Sequence, residues 1–209
     1  MYNVQKEVII LPDIRIPTQK RSIEKRNRII EKGFSLMCEK GYFNISTPDI
    51  AETAGVSTGI IYQYFNDKKD IFIEGVKNYA ESIMFPIVNI LEKENIKLDN
   101  IDELLNSMID KFIKNHTISK KAHEELMAMS HLDEDVSAIF KNYEIKMTDK
   151  IVKIFENNNI YLENSREKVH IIFGIMDNFC HEVVYHKHSA LNYKVMQTEV
   201  INVIKNILK

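Results

Sequence analysis

The chain has 209 residues, enough for one or two buried cores, with 44% apolar side chains, 6 Gly, 4 Pro and no Trp, a balance that favours long helices over many short strands. Its formal net charge of −2 taken alone disfavours a polyanion binder, and its two cysteines, Cys38 and Cys180, supply neither a disulfide framework nor a thiolate metal site. No apolar run approaches the ~20 residues of a membrane span, and Val8 to Leu11 behind Glu7 is too short for a secretory signal, so a cytoplasmic protein with no membrane partner is expected.

The charge is unevenly spread. Residues 1–70 hold 11 Lys/Arg against 9 Asp/Glu, and residues 71–209 hold 17 against 21. Near the start, Arg15, Lys20, Arg21, Lys25, Arg26, Arg28 and Lys32 face only Glu24 and Glu31. Such a block is either a solvated helix face or an electrostatic footprint for nucleic acid.

Residues 1–19 carry Pro12 and Pro17 and no helical period, which predicts an irregular arm. A helix is expected from Thr18 or Ser22 to Glu39 or Lys40, with Ile23, Ile30, Phe34 and Met37 on its apolar face and Gly41 just past its end. Thr47-Pro48-Asp49 reads as the next helix start, with Thr47 as the cap, Pro48 at the first position and Asp49 against the positive helix end. That short helix stops at Gly55. Ser57 is the next cap candidate, and a second short helix carries Ile60, Ile61 and Phe65. Asn66 or Asp67 then opens a longer helix, which Pro86 is expected to kink or end. Further helices are expected near Asp99–Asn115, Ser119–Met129, Glu134–Glu156, Glu163–Lys187 and Leu191–Leu208. The fold class is all-α with about nine helices.

Two short helices joined by a tight Gly-containing turn form a candidate helix-turn-helix. Ile50, Ala51 and Ala54 give the first helix a small inner face, Gly55 permits the turn, and Val56 can plug the corner. Ile61 and Phe65, one turn apart, can anchor the second helix, which leaves Thr58, Gly59, Tyr62 and Gln63 pointing outward. A Tyr and a Gln beside a residue without Cβ suit a surface that approaches a duplex closely.

The run GYFNISTPDIAETAGVSTGIIYQYFNDKKDIF resembles the N-terminal signature of TetR-type regulators, and RNRIIEKGFSLMCEKGY is similar to that family's first helix. The resemblance covers residues 22–75. It implies a helix-turn-helix domain over residues 20–70 and a helical ligand-binding and dimerisation domain over residues 71–209. The implied function is a sequence-specific regulator, a repressor released by a small apolar or aromatic ligand, and not an enzyme. The implied partners are double-stranded DNA with a palindromic operator, a second copy of the chain and a small-molecule effector. By the same resemblance Thr47 caps the first motif helix and touches phosphate, and Thr58 and Gly59 approach base edges or backbone. Tyr62 and Tyr64 contact phosphate or bases, Lys68 pairs with phosphate, and Gln63 stands at the variable, sequence-reading position. Arg15, Lys20 and Arg21 can reach an adjacent minor groove or stay solvated.

Other signals carry less. His181 and His186 are five residues apart, which turns them to different helix faces, so no zinc site is expected, and no other metal or cofactor site is expected. Phe112, Met127, Phe140, Tyr143, Met147, Phe173 and Met176 form a Met- and aromatic-rich set that is either ordinary core or a deformable ligand cavity, with His116 and His123 as further polar anchors beside Tyr143. Two long amphipathic helices at the C-terminus suit a dimer interface, with Phe179, Val183, Tyr193, Met196 and Val200 as its candidates. The alternatives are a helical ligand-binding bundle or enzyme without DNA binding, and a DNA-binding head on a constitutive dimeriser.

Overall fold

The computed structural model describes residues 16–93, 96, 101–116 and 118–209, so residues 1–15 of the arm expected over residues 1–19, Arg15 included, and the helix start at Asp99 lie outside the described residues. Among the described residues there are nine α-helices and no strand. The chain forms two compact units that divide between Gly75 and Val76.

The first unit holds α1 (Lys20–Lys40), a 3-10 turn (Tyr42–Asn44), α2 (Thr47–Ala54), α3 (Thr58–Ile61) and the first turns of α4 (Lys68–Lys93). Its core joins Ile29, Ile30, Met37 and Cys38 of α1 to Ile50, Ala51 and Ala54 of α2, Ile61 and Phe65, and Ile71 and Phe72 of α4, all buried. Ile23, expected on the apolar face of α1, is 40% exposed. The inward face begins almost two turns later, at Ile29. The helices meet closely at two glycines. A Cβ on Gly33 would lie 2.9 Å from side-chain carbons of both Ile50 and Ile71, and one on Gly75 would lie 2.4 Å from Phe34.

Local chemistry sets the boundaries. Gly41 takes φ 95° and its amide donates to Met37 O at 2.9 Å, closing α1. The cap of α2 is Ser46, not Thr47: Ser46 and Asp49 form a reciprocal capping box, with the Ser46 amide donating to Asp49 Oδ2 at 2.8 Å. Thr47 is instead the first helical residue. These hydrogen bonds from Ser46 also hold the Asp49 carboxyl below its usual range. Gly55 ends α2 in the left-handed region, φ 65°, and its amide donates to Glu52 O at 3.1 Å. Such a conformation costs a residue with Cβ but not glycine. Asp67 Oδ1 accepts from the amides of Lys69 at 2.7 Å and Asp70 at 3.1 Å and starts α4.

The second unit holds the rest of α4, α5 (Ile101–Asn115), α6 (Lys120–Leu132), α7 (Glu134–Asn157), α8 (Ser165–Tyr185) and α9 (Tyr193–Ile207). Helix α7 packs on α6 and α8, and α5 packs on α8 and α9. Ser119, Asp133 and Asn192 cap α6, α7 and α9 through their side-chain oxygens. The core is aliphatic and aromatic, with Leu91, Ile109, Phe112, Phe179, Cys180 and Ile204 at 2% exposure or less.

Of the two outcomes expected at Pro86, the ending of the helix is overturned, because α4 runs through it to Lys93. A proline inside a helix loses one amide bond and crowds the preceding turn, at about 3 kcal/mol. Burial of Ile83, Ile87, Val88 and Leu91 around it removes enough apolar area from water to offset that cost.

Candidate nucleic-acid interface and ligand cavity

In the first unit α2 packs on α1 and α3. Helix α3 is only four residues long, shorter than expected. Its chain continues as tight turns, with amide bonds from Gln63 to Ile60 O at 3.3 Å and from Tyr64 to Ile61 O at 2.9 Å. This geometry turns Ile61, Tyr64 and Phe65 inward, at 0%, 5% and 1% exposure. The expected contact from Tyr64 is therefore corrected: its ring is core, lying against Phe65 with centroids 6.5 Å apart. Tyr62 is 43% exposed. Ser57, Gly59 and Gln63 are exposed too, while Thr47 and Thr58 are half-buried. Above Gly59 the space is open, since a Cβ there would meet nothing nearer than Ser57 Oγ at 4.0 Å.

Lys68 is also placed differently. Its ammonium donates to Tyr42 O at 2.8 Å and Ile45 O at 2.7 Å, and lies 4.5 Å from the Tyr42 ring centroid. The side chain ties the start of α4 to the turn that leads into α2, so its first role is to position the motif. Two of its three protons are spent on those carbonyls. Arg26, in the basic block, forms a 3.0 Å ion pair with Glu74 and lies 5.1 Å from the Phe65 ring centroid. Lys20, Arg21, Arg28 and Lys32 are exposed.

The second unit contains a cavity of about 190 Å³. Tyr79, Ala80 and Ile83 of α4 line one side, and His116 closes the end of α5. Helix α6 contributes His123, Met127, Ser130 and His131, α7 contributes Phe140 and Glu144, and α8 contributes Phe173, Asp177 and His181. Of the expected ligand residues it brings together His116, His123, Met127, Phe140 and Phe173. Phe112 and Met176 line a separate, smaller apolar cavity of about 40 Å³. Met147 is core at 4% exposure, and Tyr143 donates its hydroxyl to Glu81 at 2.6 Å.

The histidines form a cluster. The His181 ring centroid is 4.8 Å from those of both His116 and His123, and the Tyr185 centroid is 4.0 Å from that of His123. His116 Nδ1 lies 2.7 Å from Phe112 O, and His181 Nδ1 lies 3.1 Å from Asp177 Oδ2. Burial lowers the His116 pKa and, together with the neighbouring imidazoles, pushes that of His123 down to about 4. His181 faces this cavity. His170, His186 and His188 are exposed. Among the described residues no group of three or more His, Cys, Asp or Glu side chains is arranged to hold a metal ion. Burial pushes the Cys180 thiol up to about 12, which leaves it unreactive.

Sequence reasoning missed Ser46, although the spacing Ser46 to Asp49 is a capping-box signal. It also missed Tyr79, Glu144 and Asp177 of the cavity. Only Asp177 had a local signal, four residues before His181 on one helix.

The expected dimer residues divide. Phe179 is 2% exposed and belongs to the core of its own unit, so it is corrected. Val183, Tyr193, Met196 and Val200 are half-buried, and Tyr193 donates its hydroxyl to Glu182 at 2.9 Å. The more open apolar residues of α8 and α9 are Ile171, Val195 and Val203, at 53%, 56% and 46% exposure. Gly174 stands beside Ile171, and a Cβ there would meet nothing within 4 Å.

Residues 29–74 match the family model described as bacterial regulatory proteins, tetR family. Over 59 residues the chain is 44% identical to the HTH-type transcriptional regulator HbdR of Aromatoleum sp. (strain CIB), covering 28% of this chain and 26% of that protein. The chain thus matches only about a quarter of that relative's length. A TetR-family regulator from Mesorhizobium loti MAFF303099 shares the fold at TM-score 0.71 and 18% identity, over 91% of this chain and 98% of its own. A transcriptional regulator from Saccharomonospora viridis, solved with choline, does so at TM-score 0.63 and 17% identity, over 88% and 96%. No helix among the described residues is long and apolar enough to cross a membrane. The N-terminal match and the helix-turn-helix geometry agree: residues 29–74 form a DNA-binding segment of the tetR-family type, and the chain shares the all-α fold of solved TetR-family regulators.

Proposed function

We propose that the protein is a cytoplasmic repressor that binds a palindromic operator as a homodimer and leaves it when a small molecule enters the second unit. The observation that carries this reading is the open surface over Gly59 flanked by exposed Tyr62 and Gln63. A backbone without Cβ lets the motif approach the duplex, and an exposed amide side chain suits bidentate readout of a base, adenine above all. Ser57, Thr58 and Tyr62 border the same surface and serve phosphate and sugar contacts. Thr47 is the first helical residue after Ser46 and takes a phosphate contact there. Lys68 acts mainly by holding the motif in place, and Lys20, Arg21 and Arg28 supply the sequence-independent attraction.

Two heads on a two-fold axis read half-sites about one helical turn apart, roughly 34 Å. The dimer face we assign is the exposed strip of α8 and α9 around Ile171, Gly174, Val195 and Val203, with Met196, Val200 and Val183 at its margin. A mid-helix glycine with open space above it admits close approach by a second helix. Helix α4 contributes residues to both units and is the element assigned to relay ligand binding. Linkage requires the ligand to favour the form with weak DNA affinity, and a coupling of about 1–3 kcal/mol is typical. Selection of bound fragments from genomic DNA, followed by anisotropy titration of the recovered site, tests this reading. A two-fold symmetric site whose affinity falls steeply with salt is expected. Recovery of no preferred sequence counts against it.

A further inference from the structure

The cavity of the second unit is chemically one-sided. Among the described residues two carboxylates, Asp177 and Glu144, line it, and no Lys or Arg does. The buried imidazoles of His116 and His123 add acceptors rather than charge. A carbonyl only accepts, so His116 Nδ1, 2.7 Å from Phe112 O, carries the proton. Its Nε2 then presents a lone pair. His181 directs Nδ1 to the Asp177 carboxylate at 3.1 Å. His116 and His123 are 8% and 4% exposed, and burial disfavours their charged forms. His116 Nε2 and both ring nitrogens of His123 are buried with no protein hydrogen-bond partner. A ligand N–H that reaches His116 Nε2 or the unprotonated nitrogen of His123 removes a standing desolvation cost.

The remaining walls include the rings of Phe140 and Phe173, whose faces attract cations and whose edges pack against apolar bodies. We propose that this cavity takes a small organic cation, an amine or ammonium compound on an aromatic or short aliphatic body, with its charge between Glu144 and Asp177. An anion of the same size meets two like charges and no Lys or Arg among the described lining residues. This names the ligand class for the effector reading above and rests on it. The choline bound in the Saccharomonospora viridis regulator is a cation of this class, but at 17% identity that likeness extends to the fold alone.

The test uses the full chain and near-isosteric probes: tetramethylammonium, benzylamine and benzyltrimethylammonium as cations, benzoate as the anion and benzyl alcohol as the neutral control. At least one cation is expected to raise the unfolding temperature by about 5–10 °C at about 100 times its dissociation constant, with no shift from benzoate. Glu144→Gln keeps the shape of a half-buried side chain and is expected to weaken that cation about tenfold or more by calorimetry, with benzyl alcohol unaffected. Asp177→Asn serves as the second variant, and circular dichroism confirms that each is folded. Failure of all three cations to bind overturns the assignment. So does tighter binding of benzoate than of benzylamine, or stabilisation by Zn²⁺ where no ammonium stabilises. Operator titration separates the two readings. A cation that binds without changing operator affinity upholds the ligand class and removes the release mechanism. Release by benzoate or benzyl alcohol upholds release and removes the ligand class.

Discussion

Lys68→Met isolates the role of one ammonium group, because methionine keeps the apolar part of the stem. The substitution removes hydrogen bonds of 2.8 Å and 2.7 Å to the carbonyls of Tyr42 and Ile45 and a cation placed 4.5 Å from the Tyr42 ring centroid. A hydrogen bond from a charged group contributes about 1.5–3 kcal/mol, and the ring contact about 0.5–1 kcal/mol. Lys68 is half-buried, so water recovers part of both, and a net loss of about 2–3 kcal/mol is expected. For a chain of this size each kcal/mol lowers the unfolding temperature by about 2–4 °C, which gives a drop of about 4–12 °C in a calorimetric or fluorescence scan. The freed turn at Tyr42 to Ile45 leads directly into α2, so operator affinity falls through misplacement of the motif. The slope of log affinity against log salt then stays the same. A direct phosphate contact behaves differently: its loss flattens that slope by about 0.9 and leaves stability nearly intact. An unchanged unfolding temperature with a flattened slope would refute the positioning role.

Gln63→Ala is expected to cost about 1–3 kcal/mol of operator affinity and to relax preference at one base position; site selection that returns the unaltered motif contradicts the assignment. Gly75→Ala places a Cβ 2.4 Å from Phe34 and is expected to destabilise the first unit by about 1–3 kcal/mol, read by thermal unfolding. Ile171→Glu combined with Val203→Glu puts charges on the exposed strip of α8 and α9 and is expected to yield monomers in sedimentation; a persistent dimer places the interface elsewhere. His123, packed by His116, His181, Asp177 and His186, has a folded pKa of about 4 against 6.5 unfolded. The unfolded chain therefore takes up the proton first as pH falls. Its stability contribution is whole above pH 6.5 and is lost down to about pH 4, by at most about 3 kcal/mol. His123→Gln is expected to flatten that acid limb in denaturant titrations; an unaltered limb contradicts the buried neutral imidazole.

The helical class, the order of the helices and the turn at Gly55 were legible in the sequence because each rests on local interactions. Apolar spacing, cap residues and a left-handed glycine act within a few residues of one another. The outward direction of Tyr62 and Gln63 follows in the same way from their inward neighbours Ile61 and Phe65. Tertiary packing decided the rest. Tyr64 became core because the chain after Ile61 tightens into turns that rotate it inward. Lys68 became a clasp because the carbonyls of Tyr42 and Ile45, more than twenty residues earlier, come within reach. Pro86 stayed inside α4 because the surrounding residues are buried together. The histidine cavity draws on four helices and the residue that follows α5, and the periodicity of any one of them shows only which side is apolar. His116, His123 and His181 are separated by up to 65 residues in the chain. Their meeting is a property of helix packing, which local sequence chemistry does not encode.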